Sequence, residues 1–273
     1  MPSLNHIAPD KLARLIGTPT SPVIIDVRAA DETSLIPSSL RLRPKAVESW
    51  SATVAGTAVV VDEDGVSAAQ ATAAWLRTEG VAADVLEGGL SAWRTAGLPL
   101  INSTKLPRRD GQGRTVWVTR SRPKVDRIAC PWLIRRFVDP QARFLFAPAS
   151  DVLTVAREID ATPFDVAHDD VFWSHRGEHC TFDLMVEEFA LSAFAGLKYL
   201  SLIVRGADTG KPDLVPEAAG LLAFSLGLSR MHGDDLDQLE AGMPFYDALY
   251  RWCRDARSET HGWTSHTPKE ARS

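Results

Sequence analysis

Two short β-branched runs, Pro22–Val27 (PVIIDV) and Thr57–Asp62 (TAVVVD), decide the fold of the first hundred residues. Each is a nearly unbroken apolar stretch of strand length, the pattern of a strand buried on both faces of a parallel sheet. Helix-like segments alternate with them. Ser67–Arg77 is Ala-rich with Trp75 and Leu76 and reads as an amphipathic helix, Ala83–Leu86 as a further strand, and Gly89–Ala96 as a helical turn or two. Strands alternating with helices predict an α/β domain whose parallel sheet is covered by helices on both faces.

Outward from that block, the composition breaks at Ile101–Arg114 (INSTKLPRRDGQGR), a polar, basic stretch rich in loop formers. The expected domains are 1–103, a linker 104–114, a second domain 115–257 and a polar tail 258–273. The second domain opens with a strand at Thr115–Thr119 and a helix from Val125 to Phe137, followed by a strand at Arg143–Phe146 and a helix at Asp151–Ile159. Beyond Cys180 it is helical, over 182–190, 193–204, 216–226 and 235–254. The aromatic residues Trp132, Phe137, Phe144, Phe146, Phe172, Trp173, Tyr246, Tyr250 and Trp252 are expected in its core. The second domain thus reads as mainly helical α+β.

A formal charge of −5 over 273 residues exerts no general pull on nucleic acid or anionic lipid. Any anion binding must be local. Three cysteines are too few for a disulfide framework and form no C-x-x-C pair. The opening residues lack the basic and apolar regions of a signal peptide, and no run approaches the roughly 18 apolar residues of a membrane helix. A cytoplasmic protein without membrane insertion is expected.

Ile25-Asp26-Val27-Arg28 followed by Leu35–Leu40 resembles the "DVR … HIPGA" signature of rhodanese-like domains. Leu86–Trp93 and Ala96–Pro99 resemble that family's "LEGG … W … AGLP" close. In active members a cysteine-headed loop, C-x-x-G-x-R-S, cradles a persulfide. Aligned on Gly65, this loop is Asp62–Ala68, with Asp62 in the cysteine position and Ser67 in the arginine position. A sulfur carrier needs a thiolate supported by converging N–H donors and positive charge, whereas Asp62, Glu63 and Asp64 crowd carboxylates there and read as a solvated acidic loop. The domain is therefore expected not to act as a thiosulfate sulfurtransferase. The resemblance implies an interaction module that docks a partner protein.

The segment Arg120–Asp139, with His175–Asp183, Ile203–Asp208 and Phe245–Tyr250, resembles the ChrB-type chromate-resistance domain over about residues 115–256. Residues 105–143 carry eleven Lys or Arg against three Asp in an otherwise acidic chain. Arg120, Lys124 and Arg127 fall between a strand end and a first helical turn, a place that suits an oxyanion such as chromate, sulfate or phosphate. Cys130, just beyond them, reads as a buried thiol. A second cluster, His175, Asp183 and Asp208, offers one imidazole and two carboxylates for a divalent first-row metal such as Zn, Mn or Fe. Thr181 as helix N-cap and Asp183 in the first turn have structural readings as well.

The resemblance implies a chromate-resistance accessory or regulatory protein that senses or handles an oxyanion or a metal. The alternative is a metal-dependent enzyme using the His/Asp site beside an arginine-rich anion pocket. Nucleic-acid binding is not expected, because the basic stretch is short and no helix-turn-helix spacing with exposed basic residues is present.

Overall fold

The computed structural model describes residues 5–29 and 33–260. The expected tail lies outside the described residues from position 261 onward. In the N-terminal half the elements are β1 (His6–Ile7), α1 (Pro9–Leu15), β2 (Val23–Asp26), β3 (Ser34–Leu35), β4 (Ser39–Arg41), α2 (Val47–Trp50), β5 (Thr57–Val61), α3 (Ser67–Thr78), β6 (Ala82–Leu86), α4 (Gly89–Thr95) and β7 (Ile101–Asn102). Five strands form an all-parallel sheet in the order β1-β6-β5-β2-β4. The two runs that open the sequence analysis, β2 and β5, lie side by side at its centre, pairing Ile24 with Val59 and Ile25 with Val60. Their β-branched side chains are buried on both faces, as central parallel strands require.

The C-terminal half comprises β8 (Val116–Arg120), α5 (Asp126–Leu133), β9 (Arg143–Ala147), α6 (Val152–Glu158), β10 (Thr162–Pro163), α7 (Thr181–Glu188), α8 (Leu197–Asp208), α9 (Glu217–Met231) and α10 (Asp235–Asp255). Its sheet is also parallel, with β8 between β10 and β9. The edge strand β10 has no counterpart in the sequence reading. It is two residues long and contains Pro163, which breaks the apolar alternation and fits only an edge. The helix expected over 125–137 runs regularly from Asp126 to Leu133 and then widens into a π-turn, Ile134–Val138.

The halves share one core. Leu12, Ile16, Leu90 and Trp93 from the first belong to the same apolar cluster as Trp132, Phe137, Phe182 and Tyr250 from the second. Across the junction the Ser38 amide donates to the Phe137 carbonyl at 2.7 Å, and the Arg254 guanidinium donates to the Arg14 carbonyl at 3.0 Å. The expected core aromatics are buried or half-buried except Phe172, which is 52% exposed. It lies in a loop, with the Arg176 guanidinium over its ring at 5.4 Å from the centroid.

Candidate functional site

Arg120 ends β8, and Asp165 follows β10 by two residues, so both stand at the carboxyl ends of parallel strands, where open α/β sheets hold ligands. Asp126 and Arg127 open α5. Asp208 closes α8, His175 comes from the loop before α7, and Thr181 starts α7.

The imidazole of His175 is the hub. Its Nε2 lies 3.1 Å from Asp208, 3.4 Å from Asp165 and 3.7 Å from Asp126. The hydrogen bonds to Asp165 and then Asp208 push the His175 pKa up to about 10. Asp165 is also the hub of a cationic trio. Arg120 Nη2 reaches its carboxylate at 3.1 Å and Arg127 Nε at 3.3 Å, with His175 completing the set. Burial pushes the Asp165 carboxyl up, but His175, Arg120 and Arg127 together outweigh it and hold the pKa below the ordinary value. Arg127 is further fixed by donating to the carbonyls of Arg120 and Ser121 at 3.3 and 3.0 Å.

Asp126 is fully buried. One carboxylate oxygen accepts the Thr181 amide at 2.7 Å and the Phe182 amide at 3.4 Å, so it serves the open N-terminus of α7 from another helix. The other oxygen, Oδ1, is buried without a hydrogen-bond partner. Burial first, then repulsion from Asp208 and Asp165, pushes the Asp126 carboxyl well above the usual range. Asp208 sits at a helix C-terminus, where the backbone dipole disfavours negative charge, so it too depends on a nearby cation.

The backbone around these carboxylates is strained. Val125, β-branched and buried, has φ +34° and ψ −95°, and Asp165 has φ +50°. Such conformations cost about 1–3 kcal/mol each and persist where surrounding contacts impose them. The Val125 amide donates to Ser225 Oγ at 2.8 Å, and Tyr246 Oη donates to the Val125 carbonyl at 3.2 Å.

Of the predicted oxyanion residues, the structure brings Arg120 and Arg127 together, while Lys124 is exposed and makes no ion pair among the described residues. Of the predicted metal residues it brings together His175 and Asp208. Asp183 is engaged elsewhere. It receives a two-point contact from Arg205 at 2.8 Å each and closes a capping box on the Cys180 amide at 3.0 Å. Its place beside His175 is taken by Asp126, and single oxygen or nitrogen atoms of Asp126, His175 and Asp208 all lie within 4.8 Å of one another. Thr181 is the first helical residue and not the cap; its hydroxyl donates to Asp165 at 3.2 Å. Asp126 was legible only as a carboxylate offsetting the basic segment beside Arg127, and Asp165 only as an isolated carboxylate between Phe164 and Val166.

The cysteines are all buried. Burial pushes the Cys130 and Cys180 thiols far up, with the Asp126 carboxylate adding to both, and raises Cys253 to about 12.

In the N-terminal domain the Asp62–Gly65 loop leans on Gly89, whose φ is +58°; a Cβ there would stand 2.6–2.7 Å from backbone atoms of Asp62, Glu63 and Asp64. Asp62 is not solvated, contrary to the reading of an open acidic loop. Its carboxylate accepts the Gly65 amide at 2.6 Å and the Ala69 amide at 2.8 Å, the latter in the first turn of α3. The amides that a rhodanese loop offers to a bound anion are thus met by a tethered one. Glu63 pairs with Arg94 at 2.7 Å and with Arg28 at 3.7 Å.

Residues 117–253, half of the chain, match the family described as "ChrB, C-terminal domain". This chain belongs to that family. Ahead of the ChrB-family domain, residues 8–96 match the rhodanese-like domain family. Protein ChrB of Cupriavidus metallidurans is 38% identical over 149 residues, covering 53% of this chain and 43% of the relative. The chain therefore spans less than half the length of the curated relative it matches. Among solved structures, a rhodanese-related protein from Thermoplasma volcanium is 19% identical, covering 36% of this chain and 97% of that one, with a TM-score of 0.33. A thiosulfate sulfurtransferase from Pseudomonas aeruginosa is 24% identical, covering 38% of this chain and 21% of that one, with a TM-score of 0.33.

Purified protein is expected to show no cyanide-dependent turnover of thiosulfate above background, because Asp62 and Ser67 replace the cysteine and arginine of the loop. Robust turnover assigned to this domain would overturn that reading. Asp62→Cys alone should restore little activity beside Glu63 and Asp64. Asp62→Ala, which orphans two amides, should cost about 1–2 kcal/mol in urea unfolding.

Proposed function

We propose that the ChrB-family domain senses a small oxyanion, chromate or a sulfate-like analogue, in the cytoplasm as an accessory or regulator of chromate resistance. The observation that supports this is the convergence of Arg120, Arg127 and His175 on the single carboxylate of Asp165. The side chains of Arg120 and His175 are 39% and 41% exposed, so an anion from solvent can reach them. Asp165 then acts as an internal counter-anion that an incoming oxyanion displaces or joins. A protonated imidazole and two guanidinium groups supply charge-assisted hydrogen bonds to the ligand's oxygens.

Titrating chromate, sulfate and chloride into the full chain tests this reading. The two dianions are expected to raise the melting temperature in proportion to the logarithm of concentration, as mass action requires, and chloride at matched ionic strength is not. Equal shifts from all three salts would reduce the cluster to internal ion pairing.

The charge state of His175 gives a pH test. Its folded pKa, about 10, lies above its ordinary value of 6.5, so its contribution to stability is complete below pH 6.5 and lost as pH rises through 10. The ring resonances of His175 should therefore titrate near pH 10, and oxyanion affinity should fall over the same range. Titration near 6.5 would show that the carboxylates do not hold the proton.

A second reading is favoured by the unpartnered buried Oδ1 of Asp126: a divalent first-row metal held by Asp126, His175 and Asp208. A metal would replace the proton on His175, leaving a neutral ligand nitrogen and open positions for water. Elemental analysis of protein purified without a histidine tag separates the two. Stoichiometric metal lost in His175→Ala supports the metal site, and metal-free protein that binds sulfate supports the oxyanion site.

A further inference from the structure

A cleft of about 970 Å³ opens at the junction of the two domains, lined by residues outside the His175 cluster. Its two walls differ in chemistry. The rhodanese-like side contributes the apolar groups of Pro22, Val23, Leu40, Leu42, Trp50 and Val54, interspersed with the hydroxyls of Thr18, Ser21, Ser38 and Thr53. The ChrB-family side contributes Arg109, Arg114, Arg135, Arg136 and Arg143, and Arg41 is added from β4. Glu240 is the one carboxylate lining the cleft.

Most of these arginines have carboxylate partners. Asp26, Asp139, Asp110, Asp247 and Glu240 pair with Arg41, Arg109, Arg114, Arg136 and Arg135 at 2.6–3.2 Å, and of these carboxylates Glu240 alone lines the cleft. Those pairs fix the guanidinium groups in place at the cleft wall. Arg143 is exposed and makes no ion pair among the described residues. The hydroxyl of Ser38, a cleft residue only 4% exposed and held at φ +63°, has no hydrogen-bond partner. A concave space with cations on one side and mainly apolar groups on the other attracts a ligand divided the same way.

We propose that the interdomain cleft binds an organic phosphate of nucleotide size, its phosphates against the arginine wall and its apolar body against the rhodanese-like wall. A single tetrahedral oxyanion is far too small for the volume and has nothing to place on the apolar side. Arginine suits the phosphates because its planar fork meets two oxygens at once. The ligand touches both domains, so binding fixes their junction.

The test is calorimetric titration of the full chain with ADP, ATP, pyrophosphate and adenosine, in parallel with Arg143→Glu, Gln141→Glu and Arg127→Ala. Residues 141 and 143 are exposed at the cleft and carry no side-chain bond among those described, so their variants should fold. The nucleotides are expected to bind, pyrophosphate at least threefold more weakly, and adenosine not at all. Arg143→Glu should weaken ADP at least tenfold and Gln141→Glu more modestly, with Arg127→Ala unchanged. Absence of nucleotide binding at millimolar concentration would overturn the proposal. So would pyrophosphate binding as tightly as ADP, a duplex DNA control binding tighter than either, or a loss of affinity in Arg127→Ala without one in Arg143→Glu. Because the oxyanion cluster is read by Arg127 and the cleft by Arg143, failure of one leaves the other intact.

Discussion

Arg127→Ala is expected to raise the Kd for sulfate or chromate about 30-fold, and Asp165→Asn to lower it. The first substitution removes a charge-assisted hydrogen bond worth about 2 kcal/mol. It also frees the Arg120 and Ser121 carbonyls that Arg127 holds in place. The second removes the internal anion that occupies the trio, while the amide oxygen still accepts from Thr181. Opposite movement of the two variants is a signature that general destabilisation does not produce, since a merely weakened fold would lower affinity in both. Arg127→Lys should recover little, because a point charge cannot reproduce contacts made through both Nε and Nη1. Lys124→Ala should change affinity less than twofold, its charge being exposed and screened. Calorimetry at fixed ionic strength measures all four. A shared loss in Arg127→Ala and Asp165→Asn would remove the displacement mechanism.

The largest effect on stability is expected at Asp247. Its carboxylate accepts from Arg136 Nε and Nη2 at 2.7 and 2.8 Å, and from the Trp132 indole at 2.9 Å. It therefore ties α10 to both α5 and the π-turn beyond it. Asp247→Ala leaves a half-buried guanidinium and a fully buried indole N–H unpaired, at an expected cost of about 3–5 kcal/mol. Asp247→Asn keeps an acceptor for the indole and should cost roughly half as much. Urea unfolding should show the midpoint falling at constant m-value. A loss below 1 kcal/mol in Asp247→Ala would mean that solvent or another acceptor replaces the carboxylate.

The fold was readable wherever a local rule acts alone. The β2 and β5 runs are buried on both faces, so hydrophobicity marks them without reference to anything distant. The glycines of the Leu86–Leu90 stretch are needed where a Cβ at Gly89 would strike the Asp62–Asp64 backbone, which is why that motif carries over intact. The site was readable only in part, because its residues come from five separate elements. Arg120 and Arg127 are seven residues apart around one strand-to-helix turn, and a sequence pattern can find them. Asp183 has the composition of a ligand and the position of a cap, and Arg205, 22 residues away, decides between those roles. Asp165 acquires its importance from β10, an edge strand of two residues that carries no periodic signal.

The burial of the thiols bears on chemical durability. Chromate is an oxidant, and its reaction with protein sulfur begins at a thiolate or an accessible thioether. Here Cys130, Cys180 and Cys253 are kept as neutral thiols out of solvent, and Met185 and Met243 are likewise enclosed. Among the described residues Met231, at the end of α9 and 79% exposed, is the one sulfur open to attack. An oxidising oxyanion bound as proposed by Arg120, Arg127 and His175 would therefore find no exposed thiolate or thioether among these residues. Under the proposed reading its capture would be undone by dilution, and among the described residues the thioether left open to oxidation is that of Met231.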